Sequence, residues 1–152
     1  FFAHEAAAIG LVAAVAPGLT PPVLAAGPPG RLLMPHLPGG DCWDAGPEVC
    51  AEVSAAFHPV QVHYATHPTG PLPAVDLDAA TVAAPYFDSI DGLRDLIDDV
   101  PRRLAEVATC GLPDTLVHGD LHPGNVRSDG AVRVLMDWGD TTVSNPAFDT
   151  FG

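Results

Sequence analysis

Residues 117–140 read VHGDLHPGNVRSDGAVRVLMDWGD. An apolar pair, Leu116-Val117, leads into a polar loop holding His118, Asp120 and Asn125. Pro123-Gly124 is turn chemistry that folds Asn125 back towards Asp120. Ser128-Asp129-Gly130 is a second turn, so Val126 and the apolar run 132–136 should flank it as a hairpin. Asp137 stands at the end of that run, in the triplet Asp137-Trp138-Gly139.

The spacing suits phosphoryl transfer from a nucleotide. Asp120 need only orient and deprotonate a substrate hydroxyl, so it can stay ionised at neutral pH. Asn125, five residues on, offers a neutral carbonyl oxygen, and Asp137 offers a carboxylate. Hard, oxygen-rich ligation of this kind suits magnesium. His118 reads as a brace for the loop, and His122 is placed where a donor could touch the transferred phosphate.

Outward from this stretch the pattern is mixed α and β. Phe2, Ala6, Ile9, Ala13 and Ala16 recur at helical spacing and predict an opening helix stopped by Pro17-Gly18. Short strands are expected at 22–26 and 31–34 about the turn 27–30, then an irregular connector over 35–40. A helix is predicted from Pro47 to about His58, with Cys50, Val53 and Phe57 on one face, followed by a long surface excursion from Pro59 to Pro85. Leu93, Leu96, Ile97, Val100, Leu104 and Val107 form a helical stripe; Pro101 either kinks it or opens a second helix. His58, His63 and His67 could suggest a metal site, but Pro59 and Pro68 should break any helix there, which favours a surface or loop-packing role.

Nineteen acidic residues against six basic ones give a net charge of −13, and all six basic residues are arginine. That excess disfavours nucleic acid and anionic membranes as partners. It would favour a cationic ligand, and an anionic nucleotide in such a field needs divalent metal. Three cysteines lack zinc spacing, and their odd number suits a reduced cytoplasm. The apolar opening, with Glu5 and no basic flank, fits neither a signal peptide nor a membrane span.

The loop HGDLHPGN, the apolar strand and DWGD together resemble the aminoglycoside phosphotransferase family, small-molecule kinases whose loop reads HGD-x-x-x-x-N in a protein-kinase-like fold. The likeness is strong over 117–140 and looser elsewhere. It implies transfer of phosphate from ATP or GTP to a hydroxyl of a small molecule, with Asp120 as base and Asn125 and Asp137 holding magnesium; the acidic balance makes a cationic acceptor, aminoglycoside-like antibiotic or metabolite, the expected one. It also implies that Glu5 is the helix glutamate that pairs with a phosphate-binding lysine. Residues 31–39, including Met34, Pro35 and Leu37, are similar to the strand and hinge that receive adenine through backbone groups. Asn145-Pro-Ala-Phe-Asp149 looks like the start of the family's next helix, with Asp149 structural.

The expected architecture is therefore α+β and protein-kinase-like but incomplete: residues 1–35 as a remnant of the small lobe, and 36–152 as a mainly helical large lobe with catalytic-loop hairpins. The glycine-rich loop and lysine of the family have no counterpart before Phe1, so we expect a piece of a longer protein that is a poor catalyst by itself. Two rivals remain. A binuclear metallophosphatase shares the HGDLH vocabulary, yet Asn125 is followed by Val126 and no histidine follows His122. An inactive, pseudokinase-like binding module would suit the missing lysine.

Overall fold

The computed structural model describes residues 3–28, 30–75 and 93–150. Helix α1, Glu5–Val15, ends before Pro17-Gly18 as its spacing predicts, and it buries Ala8, Ile9 and Val12. Strands β1, Ala25–Gly27, and β2, Arg31–Leu33, form an antiparallel hairpin with Gly27 opposite Arg31. The first strand starts three residues later than expected, because Pro21 and Pro22 have no N–H to give a ladder. Phe1, Phe2 and residues 151–152 lie outside the described residues.

The connector over residues 34–39 is irregular, as read from its prolines, and runs into a two-residue strand, β3, Gly40–Asp41. Gly39 takes φ +89, and a Cβ there would collide with the Ser128 carbonyl. Only glycine lets β3 pass so close to the hairpin below it.

Helix α2 runs Pro47–Tyr64, six residues beyond the predicted end at His58, with Pro59 inside it. An interior proline costs about 3 kcal/mol. Val53, Phe57, Val60 and Tyr64 continue one buried stripe across it, and their burial offsets that cost. The Tyr64 hydroxyl also donates to the Leu11 carbonyl of α1 at 2.9 Å. The expected break at Pro59 is thus corrected. His63 sits on the last turn of α2, stacked against His67 with ring centroids 4.0 Å apart. Among the described residues no three metal-binding side chains gather. Of the predicted surface excursion, 59–64 is helix and 65–75 is turn and loop; its remainder, 76–85, lies outside the described residues.

Helix α3, Leu93–Ala108, is a single helix that contains Pro101. None of its described side chains is fully buried, so its apolar stripe is only half covered. On its outer face Arg102 and Arg103 both bond Asp99; the Arg102 guanidinium, with Arg103 after it, lowers the Asp99 carboxyl to about 2.

Strand β4, Thr115–Val117, is wholly buried and pairs antiparallel with β7, Thr142–Ser144. Ala74 adds a parallel bridge to Val143 on the other edge of β7. Strands β5, Val126–Ser128, and β6, Arg133–Leu135, form the predicted hairpin about residues 129–132, and β3 adds to the β5 edge. One apolar core joins α1, α2 and the strands through Ile9, Val12, Phe57, Val60, Leu135 and Trp138. Phe57 meets the Trp138 ring edge-on, with centroids 5.5 Å apart. Among the described residues no helix is long and apolar enough to cross a membrane.

Candidate active site

The loop that leaves β4 is clamped at its root. His118 is completely buried. Its Nε2 donates to the Met136 carbonyl at 2.8 Å, and its Nδ1 accepts the Asp120 N–H at 3.3 Å. These bonds define a neutral imidazole, and burial lowers its pKa, against the opposing pull of the Met136 carbonyl and nearby carboxylates. Asp149 closes the clamp from the other side. Its carboxylate accepts the N–H groups of His118 at 2.9 Å and Gly119 at 3.0 Å, with Gln61 Nε2 at 3.1 Å. Burial raises the Asp149 carboxyl, and those donors work against the rise. Gly119 adopts φ +88, where a Cβ would run into the Asp140 carbonyl.

Beyond the clamp the loop opens to solvent. Asp120 is half exposed. Pro123–Asn125 forms a 3₁₀ turn that brings Asn125 back, as the Pro-Gly pair implies. Asn125 Nδ2 donates to the Asp120 carbonyl at 2.9 Å and to its Oδ2 at 3.1 Å. His122 Nδ1 accepts the Gly124 N–H at 3.0 Å, so the ring proton sits on Nε2. That nitrogen lies 3.4 Å from the same Asp120 Oδ2. Both neighbours address Oδ2, which leaves Oδ1 for another partner.

The metal candidates follow from the same bonds. With its amide nitrogen committed to Asp120, Asn125 must turn its Oδ1 away from that carboxylate. The Met136 N–H donates to the Asn125 carbonyl at 2.7 Å, which sets Asp137 beside Asn125 on the neighbouring strand. Asp137 is exposed, caps nothing with its side chain, and adopts φ 59, ψ 66. It is the non-glycine residue with positive φ among those described, a conformation that costs about 1 kcal/mol or more outside glycine. An amide oxygen and a free carboxylate are the hard donors that magnesium takes.

Glu5 approaches from α1. Burial raises its carboxyl and the Asp137 charge adds to that, while the Trp138 N–H and His4 oppose. The structure therefore brings His122 and Asn125 against Asp120, and Glu5 into the electrostatic reach of Asp137. Met34, Pro35 and Leu37 stand apart on the connector, all half-buried. The Leu37 carbonyl accepts Arg127 Nε at 2.8 Å and the Gly39 carbonyl accepts Nη2 at 2.5 Å. Among the described residues no hydrogen bond engages the backbone of Met34 or His36.

Sequence reasoning missed Arg127, which ties the connector to β5, and Trp43. The indole of Trp43 stands edge-on to His122 with centroids 5.3 Å apart, and a Cβ on Gly124 would strike it. The signal for Trp43 was present in the run Asp41-Cys42-Trp43-Asp44, an aromatic flanked by carboxylates directly after the connector.

The chain matches the model of the Phosphotransferase enzyme family over residues 3–151, and it belongs to that family. No curated protein matches it. Among solved structures it is similar to a choline/ethanolamine kinase family protein from Mesorhizobium loti, with 20% identity and a TM-score of 0.71 over 97% of this chain and 52% of that one. It is also similar to the macrolide 2'-phosphotransferase MphH from Brachybacterium faecium (21% identity, TM-score 0.57, 96% and 57% covered). A choline kinase from Cryptosporidium parvum Iowa II gives 13% identity and a TM-score of 0.61 over 96% and 49%. The fold is thus that of the protein-kinase-like phosphotransferases, and the chain spans about half the length of the solved structures it matches.

Proposed function

We propose that this chain carries the catalytic centre of a small-molecule kinase that moves the terminal phosphate of ATP or GTP to a hydroxyl of a small, cationic acceptor. Residues 1–35 are the remnant of its nucleotide-binding lobe and 36–152 its catalytic lobe. The observation that carries the reading is the pair of hydrogen bonds that Asn125 Nδ2 donates to Asp120, which leaves Asp120 Oδ1 and Asn125 Oδ1 both available.

In this reading Asp120 accepts the proton of the acceptor hydroxyl through Oδ1 while Asn125 and His122 hold Oδ2. Asn125 and Asp137 hold magnesium, which when bound neutralises charge on the transferred phosphate. His122 turns its Nε2 proton from Asp120 Oδ2 to that phosphate when the phosphate is bound beside the base. Glu5 orients a phosphate-binding cation, and the free backbone groups near Met34 and Pro35 receive adenine, with Leu37 fixing the connector through Arg127. The acidic balance and the absence of lysine leave no basic face for nucleic acid. Three free cysteines suit a reducing cytoplasm.

The acceptor class rests on charge: with 19 acidic residues the surface attracts amines, and two of the similar structures are named for kinases of choline or ethanolamine. The test is transfer of labelled phosphate from ATP or GTP, with magnesium, to a panel of amine-bearing and neutral hydroxyl compounds. Transfer to amine-bearing acceptors that Asp120→Asn removes is the expected result; undiminished transfer by that variant would sink the assignment. One observation favours a second reading, a nucleotide-binding module without turnover. The chain holds no lysine, and the charge acting most strongly on Glu5 is the like charge of Asp137. Magnesium-dependent nucleotide binding with no transfer to any acceptor would select it.

A further inference from the structure

One arginine joins the connector to the strand that follows the catalytic loop. Arg127 stands on β5, two residues after Asn125. Its Nε donates to the Leu37 carbonyl at 2.8 Å and its Nη2 to the Gly39 carbonyl at 2.5 Å. Two carbonyls two residues apart thus meet the planar fork of one guanidinium, a geometry that lysine cannot reproduce. Among the described residues no other hydrogen bond reaches Leu37. No carboxylate among them pairs with Arg127, although the chain carries 19 acidic residues. Packing supports this stretch only in part, because Leu37, Pro38, Arg127, Val132 and Val134 border an open hollow of about 220 Å³. The two hydrogen bonds therefore carry much of the attachment. Across the hairpin Arg127 lies opposite Val134 of β6, and the Met136 N–H bonds the Asn125 carbonyl at 2.7 Å. The hairpin that receives the connector thus also holds Asn125 and Asp137, at its two ends.

We propose that Arg127 is a positioning residue for the phosphate donor: by fastening the connector to β5 it fixes the span between the backbone groups that take the base and the Asn125 and Asp137 pair that takes the metal and phosphates. The inference rests on the kinase reading above and adds what couples the two ends of its donor site. A nucleoside triphosphate is a two-headed ligand. Binding at one end raises the effective concentration of the other, and that gain vanishes when the two subsites cannot be engaged together. A shift of the connector by about 1 Å is enough to spoil such a fit. Arg127 touches neither the metal ligands nor the base in this arrangement, so it acts through the connector alone. Its loss should weaken the whole nucleotide while sparing a ligand that uses the phosphate end only.

The probes are ATP, GTP and tripolyphosphate, each titrated with magnesium into the whole chain by calorimetry. The expected result is that one nucleotide binds the wild type more tightly than tripolyphosphate does. Arg127→Met should weaken that nucleotide about tenfold and leave tripolyphosphate within a factor of two. Arg127→Lys keeps the charge and one of the two bonds, so it should recover part of the loss; it also keeps the test decisive if Arg127→Met proves too unstable to titrate. Unchanged nucleotide affinity in both variants, or a loss of tripolyphosphate affinity in the same proportion, would overturn the proposal. So would a wild type that binds no nucleotide more tightly than tripolyphosphate. A phosphate-transfer assay separates the two readings. Transfer whose nucleotide KM ignores Arg127 defeats the positioning role alone, whereas a KM that rises more than kcat falls supports it. Arg127-dependent nucleotide binding without transfer to any acceptor defeats the kinase alone.

Discussion

The Asn125 amide nitrogen lies 2.9 Å from the Asp120 carbonyl oxygen and 3.1 Å from its Oδ2, so one side chain holds both the backbone and the carboxylate of the candidate base. Asp120→Asn keeps the shape of the residue and removes its capacity to take a proton. Phosphate transfer should fall roughly 10²–10⁴-fold, with the urea midpoint nearly unchanged because the side chain is half exposed. A variant that turns over like the wild type would show that Asp120 is not the base.

Among the described residues the Asp137 side chain makes no cap hydrogen bond that would hold the loop. Asp137→Ala should therefore unfold at a similar urea concentration while losing magnesium-dependent turnover. Titration with magnesium reads this directly: the wild type should respond and the variant should not. Equal magnesium dependence in both would remove Asp137 from the metal site.

Gly119→Ala should be severe. Positive φ costs a non-glycine residue about 1–3 kcal/mol, and the new Cβ meets the Asp140 carbonyl, which backbone cannot easily yield. Equilibrium unfolding in urea should show a loss at or above the upper end of that range. A variant as stable as the wild type would mean that the turn after β4 can be rebuilt.

Asp149→Ala leaves the N–H groups of His118 and Gly119 without their acceptor. The buried His118 donor left unsatisfied costs about 1–3 kcal/mol, and the part-buried Gly119 donor adds less, so the urea midpoint should drop although Asp149 touches no proposed substrate. Asp149→Asn retains one acceptor oxygen and should lie between the two. If Asp149→Ala lost activity with no loss of stability, the residue would have a chemical role rather than the clamping one.

Acid should act through His118. Its folded pKa is depressed below the ordinary 6.5, burial being the largest cause. The unfolded chain thus binds the proton first as pH falls. The stability contributed by keeping the ring neutral is complete above that unfolded value and is lost as pH drops from it towards the folded pKa, at up to about 1.4 kcal/mol per pH unit. Asp149 and Glu5, raised by burial, have the opposite sign: their contribution is present at low pH and lost as pH rises through their folded pKa values. Urea midpoints between neutrality and mild acid should fall in the wild type and fall less steeply in His118→Asn, itself less stable. Parallel slopes would acquit the histidine.

The hairpin of β5 and β6 and the folded-back Asn125 were legible because turn residues and apolar runs are local signals. Helix α1 and its stop were legible for the same reason. The extension of α2 across Pro59 was not, since what outweighs the proline is the burial of Val60 and Tyr64 against residues far away in sequence. Strand β3 was invisible because Gly40-Asp41 has no strand pattern, and its pairing comes from Arg127 and the Cys42 N–H. The Asp120 and Asn125 relationship could be read from spacing, whereas the approach of Glu5 to Asp137 and the seat of Trp43 on Gly124 needed the chain to be folded.

The left-handed backbone at Asp137 also shapes what mutation can do to this lineage. Among natural residues, glycine and asparagine accept that conformation most readily, and each is one nucleotide change away from an aspartate codon. Either change would relax the backbone while deleting the carboxylate proposed to hold the metal. The drift that folding tolerates best is therefore the drift that silences chemistry, and purifying selection at this position would have to act on turnover, because selection for a stable fold would let the residue go.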